Sequence, residues 1–225
     1  MTRATKPPLQ GTVVLLHGLA RTHRSMAGMR RHLERQGYRT WAETYPSRRE
    51  PLATLAEGLA AHIRRDLPDA AEGPLYAVTH SLGGIMLRHL ATALPWKGAV
   101  MLAPPNTGSA LARRLAGHPL YDWFYGPSGR QVAEGDAWPE PPTPFGIIAG
   151  TRCPSAGNPV SWVAHGLGLL PPGEPSDGTV TVAETRLPGA ADFRTVDASH
   201  TWIMDHPDVR RWVVGFLEQG RFPVP

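Results

Sequence analysis

A single cysteine, Cys153, is all that the 225 residues contain. An intramolecular disulfide is therefore excluded, and so is a metal site built from several thiolates. Long apolar runs are missing too, since no stretch reaches the roughly 18 residues needed to cross a bilayer. The opening residues carry Arg3 and Lys6 but no apolar run like the core of a signal peptide, so a soluble, reduced, cytoplasmic protein is the expectation. Neither a P-loop nor a G-x-G-x-x-G turn occurs, which argues against nucleotide chemistry. Acidic residues are outnumbered, 19 against 23 basic ones, for a net charge of +4. The excess is concentrated between Arg21 and Arg49, where no aromatic interleaving or nucleic-acid motif accompanies it. That stretch reads as a solvated helix face, and no nucleic-acid partner is expected.

Glycine and proline, at 24 each, are plentiful and promise many turns without reaching low-complexity composition. Between the turns, short β-like runs alternate with helix-length segments, the pattern of a parallel sheet assembled from β-α-β units. Strands are predicted at Thr12–Leu16, Tyr38–Tyr45, Leu75–Thr79, Gly98–Ala103, Phe145–Ala149 and Phe193–Val196. Helices are predicted from Ser25 to Gln36, from Leu52 to Leu67, from Leu82 to Leu94 and from Val209 to Gln219. In the second of these, Leu52, Leu55, Leu59, Ile63 and Leu67 recur at three- or four-residue spacing. One α/β domain over 1–225, with about six mostly parallel strands flanked by helices, is the expected architecture. Residues 104–143 and 152–176 break the rhythm. The first holds a short helix at Ser109–Leu115, the aromatic run Tyr121–Tyr125 and a proline-rich stretch. The second holds the apolar string Val160–Leu170. Connections of this length are usually caps or binding loops.

The strongest local signal is Thr79-His80-Ser81-Leu82-Gly83-Gly84, placed where a strand ends and a helix begins. Small residues there permit a sharp turn that holds a serine hydroxyl above the sheet edge, and the helix start offers unpaired amides to a developing negative charge. An ordinary strand-helix turn with a capping serine is the plainer reading. The first strand ends in His17-Gly18-Leu19. After the fifth strand comes Pro175-Ser-Asp177-Gly-Thr, and after the sixth Asp197-Ala-Ser-His200-Thr-Trp202. The order serine, aspartate, histidine therefore falls at successive strand ends on one edge of the sheet.

Together these motifs resemble the α/β-hydrolase family, in its lipase- and esterase-like branch, over nearly the whole chain. The elbow departs from G-x-S-x-G at its first position, where Thr79 stands for glycine. No strands precede the one that carries His-Gly, so the resemblance is to a reduced form without the two leading strands. It implies a serine hydrolase with Ser81 as nucleophile, His200 as general base and Asp177 as the acid that orients it. The backbone amides of Leu19 and Leu82 would form the oxyanion hole. No cofactor and no metal are implied, and the partner would be a small-molecule ester with a hydrophobic acyl group. A thioesterase or acyltransferase using the same triad, or a non-catalytic ligand-binding member of the fold, are the alternatives.

Each position has rivals. Asp197 and Asp205 flank the histidine too closely to serve as the acid, and Asp136 precedes the fifth strand. His206, beside Pro207 at the start of the last helix, reads as structural. His17 reads as a residue holding its loop. His80, inside the elbow, is expected from the resemblance to point away from the triad. His118 and His165 lie in the irregular segments and are candidates for the pocket lining. Cys153 has no neighbour in sequence that would activate a thiolate.

Overall fold

Two-sided burial explains the sheet. In the strand Thr12–Leu16 (β1), Val13 and Leu15 pack into one apolar cluster and Val14 and Leu16 into another. The same division runs through Ala77 and Val78, Met101 and Leu102, and Ile147 and Ile148. Strands buried on both faces need helices on both faces, and a parallel sheet supplies them through its crossovers. The structure, a computed structural model, describes residues 10–68, 73–135, 138–155, 166, 168–171 and 173–224, with the side chains at 120–125 and 134 excepted.

Six strands form one sheet: β1, then β2 (Arg39–Trp41), β3 (Leu75–His80), β4 (Trp96–Leu102), β5 (Phe145–Gly150) and β6 (Asp192–Val196). Their order is β2-β1-β3-β4-β5-β6 and every neighbouring pair is parallel. The chain moves outward from β1 to β2, then returns past β1 and builds in the other direction. Because parallel crossovers are right-handed, that reversal moves the connecting helices to the opposite face. Helices α2 (Leu52–Asp66) and α3 (Leu82–His89) cover one face, while α1 (Ala27–Arg35) and, from the chain's end, α7 (Pro207–Gln219) cover the other. Between β4 and β5 lie α4 (Ala110–Leu115) and α5 (Pro119–Glu134), and a one-turn helix, α6 (Val182–Thr185), precedes β6. A crevice opens beyond the carboxyl ends of β1 and β3, where the order reverses.

Several boundaries differ from the sequence reading for identifiable reasons. The strand expected at Tyr38–Tyr45 is only Arg39–Trp41. It is an edge strand paired through Thr12–Val14, after which the chain turns inward to bury Tyr45 against His17. The helix expected from Ser25 starts as a 3-10 turn at His23–Met26. The helix expected to run to Leu94 ends at His89, and turns carry the chain to β4. The aromatic run Tyr121–Tyr125 falls inside α5, which is kinked where Gly126 has φ 62° and ψ −158°. Only glycine fits there, because a Cβ would collide with the Arg48 carbonyl oxygen. The string Val160–Leu170, His165 and Asp136 lie outside the described residues or largely so.

Two glycines in helices make opposite predictions. A Cβ on Gly83, at the start of α3, would lie 2.5 Å from the Leu16 carbonyl oxygen, whereas one on Gly58, on the exposed face of α2, would meet nothing within 4 Å. Gly83→Ala is expected to cost about 1–3 kcal/mol, lowering the melting temperature by roughly 2–4 °C per kcal/mol. Gly58→Ala should stabilise by about 0.4–1 kcal/mol, because it improves helix propensity without strain. Thermal melts of the two variants read both signs.

Candidate active site

The elbow is built by strain that its neighbours enforce. Ser81 has φ 53° and ψ −122°, a conformation that costs a non-glycine residue about 1–3 kcal/mol. Among the described residues only two other non-glycines have positive φ, Ala20 at 56° and Ala103 at 46°, and they follow β1 and β4. All three therefore stand on the carboxyl edge of the sheet. The Ser81 amide donates to the Leu102 carbonyl, 2.9 Å, which fixes the elbow to β4. Close approach does the rest. A Cβ on Gly18 would lie 3.2 Å from the Ser81 Cβ, and one on Gly84 would lie 2.8 Å from the Pro104 Cβ. Gly83 presses the start of α3 against the end of β1, the two segments that carry Leu82 and Leu19. Neither the Leu19 amide nor the Leu82 amide has an acceptor among the described residues, and both residues line the cavity above Ser81.

The acid is held by backbone. Asp177 is 1% exposed, and its Oδ1 accepts from the amides of Thr179, 3.0 Å, and Val180, 2.8 Å. Its Oδ2 accepts from His200 Nδ1 at 2.7 Å, and its main-chain carbonyl accepts from the His200 amide at 3.1 Å. With Nδ1 protonated in this way, His200 Nε2 is left as an acceptor, and the Ser81 hydroxyl donates to it at 3.0 Å. Gly150, at the end of β5, lets the two loops approach. A Cβ there would lie 2.5 Å from the Ala198 carbonyl oxygen and 2.8 Å from the Asp177 Cβ. The three residues singled out in the sequence thus form one hydrogen-bonded chain.

The rivals sit elsewhere. Asp197 pairs with Arg152 at the surface, 2.7 Å, and Asp205 pairs with Arg210. His206 caps α7, its Nδ1 accepting from the Asp208 amide at 3.3 Å. His17 holds its loop: Nδ1 donates to the Gly18 carbonyl, 2.8 Å, Nε2 accepts from the Tyr45 amide, 3.3 Å, and the ring stacks on Tyr45 at 3.9 Å. His80 departs from expectation, since it does not point away from the triad. Its Nε2 donates to the His200 carbonyl at 2.9 Å, and the two rings lie 4.8 Å apart. Burial, reinforced by the nearby His200, Arg21 and His17, lowers its pKa well below the ordinary value, so it is a neutral strut. Cys153 is half-buried and unpaired by a disulfide. His118 is exposed on the turn between α4 and α5 and does not line the cavity.

Three contributors escaped the sequence reading. Arg21, grouped there with the solvated basic residues, lines the cavity instead. Arg88, buried on α3, donates to the carbonyls of Pro139, Asn106 and Trp138, bracing the loop after β4. Glu184 closes a capping box with Thr181 and also accepts from the Ala110 amide, tying the acid loop to α4. Of these only the Thr181-x-x-Glu184 spacing left a signal in the sequence. The cavity itself measures about 180 Å³. Leu82, Leu111, Leu115, Val132 and Val180 make it largely apolar, and Arg21, bonded to the Thr201 carbonyl beside His200, is among its polar members.

No model of a known protein family matches the sequence, and no curated protein sequence matches it. Solved structures do resemble it. The mature lipase BlEst2 of Bacillus licheniformis superposes with a TM-score of 0.71 at 21% identity, over 91% of this chain and 90% of that one. A metagenomic carboxyl esterase gives 0.67 at 18%, over 88% and 68%. The type II thioesterase BorB from the borrelidin biosynthetic cluster gives 0.56 at 15%, over 96% and 94%. The chain therefore has the α/β-hydrolase fold, with a six-stranded parallel sheet flanked by helices. No helix among the described residues is long and apolar enough to cross a membrane.

Burial gives the site a pH signature. Desolvation lowers the pKa of His17 to about 4, against 6.5 for a free histidine. The unfolded chain then takes up this proton at a higher pH than the folded one. The corresponding stability is fully present above pH 6.5 and is lost as the pH falls toward 4, an effect of about 3 kcal/mol. His80 acts in the same direction. Melting temperature should therefore fall steadily from pH 7 to pH 4.5, and His17→Gln should flatten part of that slope while lowering stability at pH 7.

Proposed function

We propose that this protein is a serine hydrolase that cleaves carboxylic esters through a Ser81–His200–Asp177 triad. The observation that carries the reading is the unbroken chain from the Ser81 hydroxyl through His200 to a buried Asp177, set at a strained elbow beside two free amides. Ser81 Oγ attacks the ester carbonyl carbon as its proton passes to His200 Nε2. Negative charge develops on the carbonyl oxygen, where the amides of Leu19 and Leu82 receive it. Asp177 holds the imidazole in the required tautomer and stabilises its cationic form. When the carbon–oxygen bond to the alcohol breaks, His200 returns the proton to the departing oxygen. Water then repeats the sequence on the acyl-enzyme and regenerates Ser81. No step requires a cofactor or metal. The cavity's size and apolar walls suit short- to medium-chain acyl groups.

A thioesterase using the same residues is the second reading. Its support is the likeness to BorB over nearly the full length of both chains, at a lower TM-score than the lipase gives. A ligand-binding protein without catalysis fits less well, since all three members of the triad are present and aligned.

A fluorophosphonate probe followed by intact-mass measurement tests the nucleophile. One adduct on the wild type and none on Ser81→Ala is the expected result; an unlabelled, folded wild type would overturn the reading. Asp177→Asn, which removes the tautomer control while keeping the shape, is expected to lower kcat by about 10³–10⁴. In a chain-length series of para-nitrophenyl esters, kcat/KM should peak above acetate, and activity confined to acetate would contradict an apolar acyl pocket.

A further inference from the structure

Arg21 is the one charged side chain that the described part of the cavity places near the triad, apart from the triad's own members. It follows the His17-Gly18-Leu19 loop, where its amide closes a tight turn on the Gly18 carbonyl, 3.3 Å. Its Nη1 donates to the Thr201 carbonyl at 3.1 Å, one residue beyond His200. A guanidinium has five N–H donors, and this is the single side-chain bond it makes among the described residues. No carboxylate lies within ion-pairing distance of it among those residues. The acid that influences it, Asp205, is already engaged by Arg210. Burial lowers the Arg21 pKa, though an arginine remains charged under any ordinary condition. A half-buried cation with spare donors at the rim of an apolar cavity is unpaid desolvation unless an anion completes it.

Its position says which part of a substrate that anion belongs to. The leaving oxygen or sulfur must lie at His200 Nε2 to receive its proton, so the wall made by Arg21 and Thr201 faces the leaving group. The apolar residues of the same cavity, Leu111, Leu115 and Val132, are then left for the acyl group. Resting on the hydrolase reading above, we infer that Arg21 is a specificity-determining residue for substrates whose alcohol or thiol part carries a phosphate or carboxylate. Such a substrate is amphiphilic, with an apolar acyl chain and an anionic carrier. The guanidinium fork suits both anions because each offers two oxygens in one plane.

The test compares para-nitrophenyl butanoate with its ring-carboxylated analogue, which differs only by a carboxylate on the leaving group. Wild type should favour the carboxylated ester in kcat/KM, mainly through KM. In Arg21→Met both values fall as the Thr201 tether is lost, but the preference itself should collapse by about ten- to a hundredfold. Arg21→Lys, which keeps the charge and guards against a folding defect in the methionine variant, should retain part of the preference. Two further pairs separate the carriers: a lysophosphatidate against the monoglyceride of the same chain, and an S-acyl phosphopantetheine against the S-acyl pantetheine. The pair with the larger Arg21-dependent ratio names the carrier. Equal loss on charged and neutral substrates would show that Arg21 only positions the Thr201 loop, and would overturn the inference while leaving the hydrolase reading intact. Turnover of none of these esters by a wild type that still takes the fluorophosphonate would overturn the substrate class alone, whereas failure of both would remove the hydrolase reading with it.

Discussion

A carboxylate as deeply buried as Asp177 is tolerable only if each of its oxygens is occupied, because an uncompensated buried charge costs several kcal/mol. One oxygen takes two backbone amides from its own turn and the other takes the His200 imidazole. Most of the site's geometry follows from that requirement. The Asp-Gly turn must be tight enough to aim Thr179 and Val180 inward. The loop after β6 must bring His200 alongside, and it does so with a further main-chain bond to Asp177. Gly150 must lack a side chain so that both loops can reach the end of β5. Satisfying one buried acid thus sets the tautomer, position and orientation of the imidazole that faces Ser81.

The other half of the site comes from sheet topology. A strand order that reverses beside β1 leaves the crevice between β1 and β3 uncovered by any crossover. Along the carboxyl edge that holds this crevice stand the strained residues Ala20, Ser81 and Ala103. These residues are held by what packs below them: glycines in contact with backbone, and a sheet apolar on both sides. Strain at one edge and dense packing beneath it are two aspects of the same arrangement, since a loose scaffold would let the elbow relax.

What could be read from the sequence was whatever has a local cause. Continuous apolar runs give β1, β3, β4 and β5 almost to the residue, since burial on both faces leaves a strong pattern. The elbow, the His-Gly loop, the Asp-Gly turn and the histidine loop are legible because each needs particular small or turn-forming residues in a fixed order. Features set by distant partners were not legible. The strand β2 is short because Tyr45 is drawn in to His17, a contact across 28 positions. The helix containing Tyr121–Tyr125 carries Gly126 and Pro127, which locally argue against a helix, yet the kink seats Gly126 on Arg48. Arg21 resembles every other arginine in its basic stretch until folding brings Thr201 beside it, 180 positions away.

Glu184 links parts of the molecule that would otherwise look independent. It closes the cap of α6, it holds the first amide of α4, and its own carbonyl accepts from Thr107. The wall of the cavity and the turn that carries Asp177 are therefore one mechanical piece. The excursion between β4 and β5 is, for this reason, not an interchangeable module. A transplanted or shortened version would leave a nearly buried carboxylate without its partner, and the disturbance would reach the triad through the acid loop before it reached the sheet. Reshaping this cavity, by evolution or engineering, has to change α4 and residues 177–184 together.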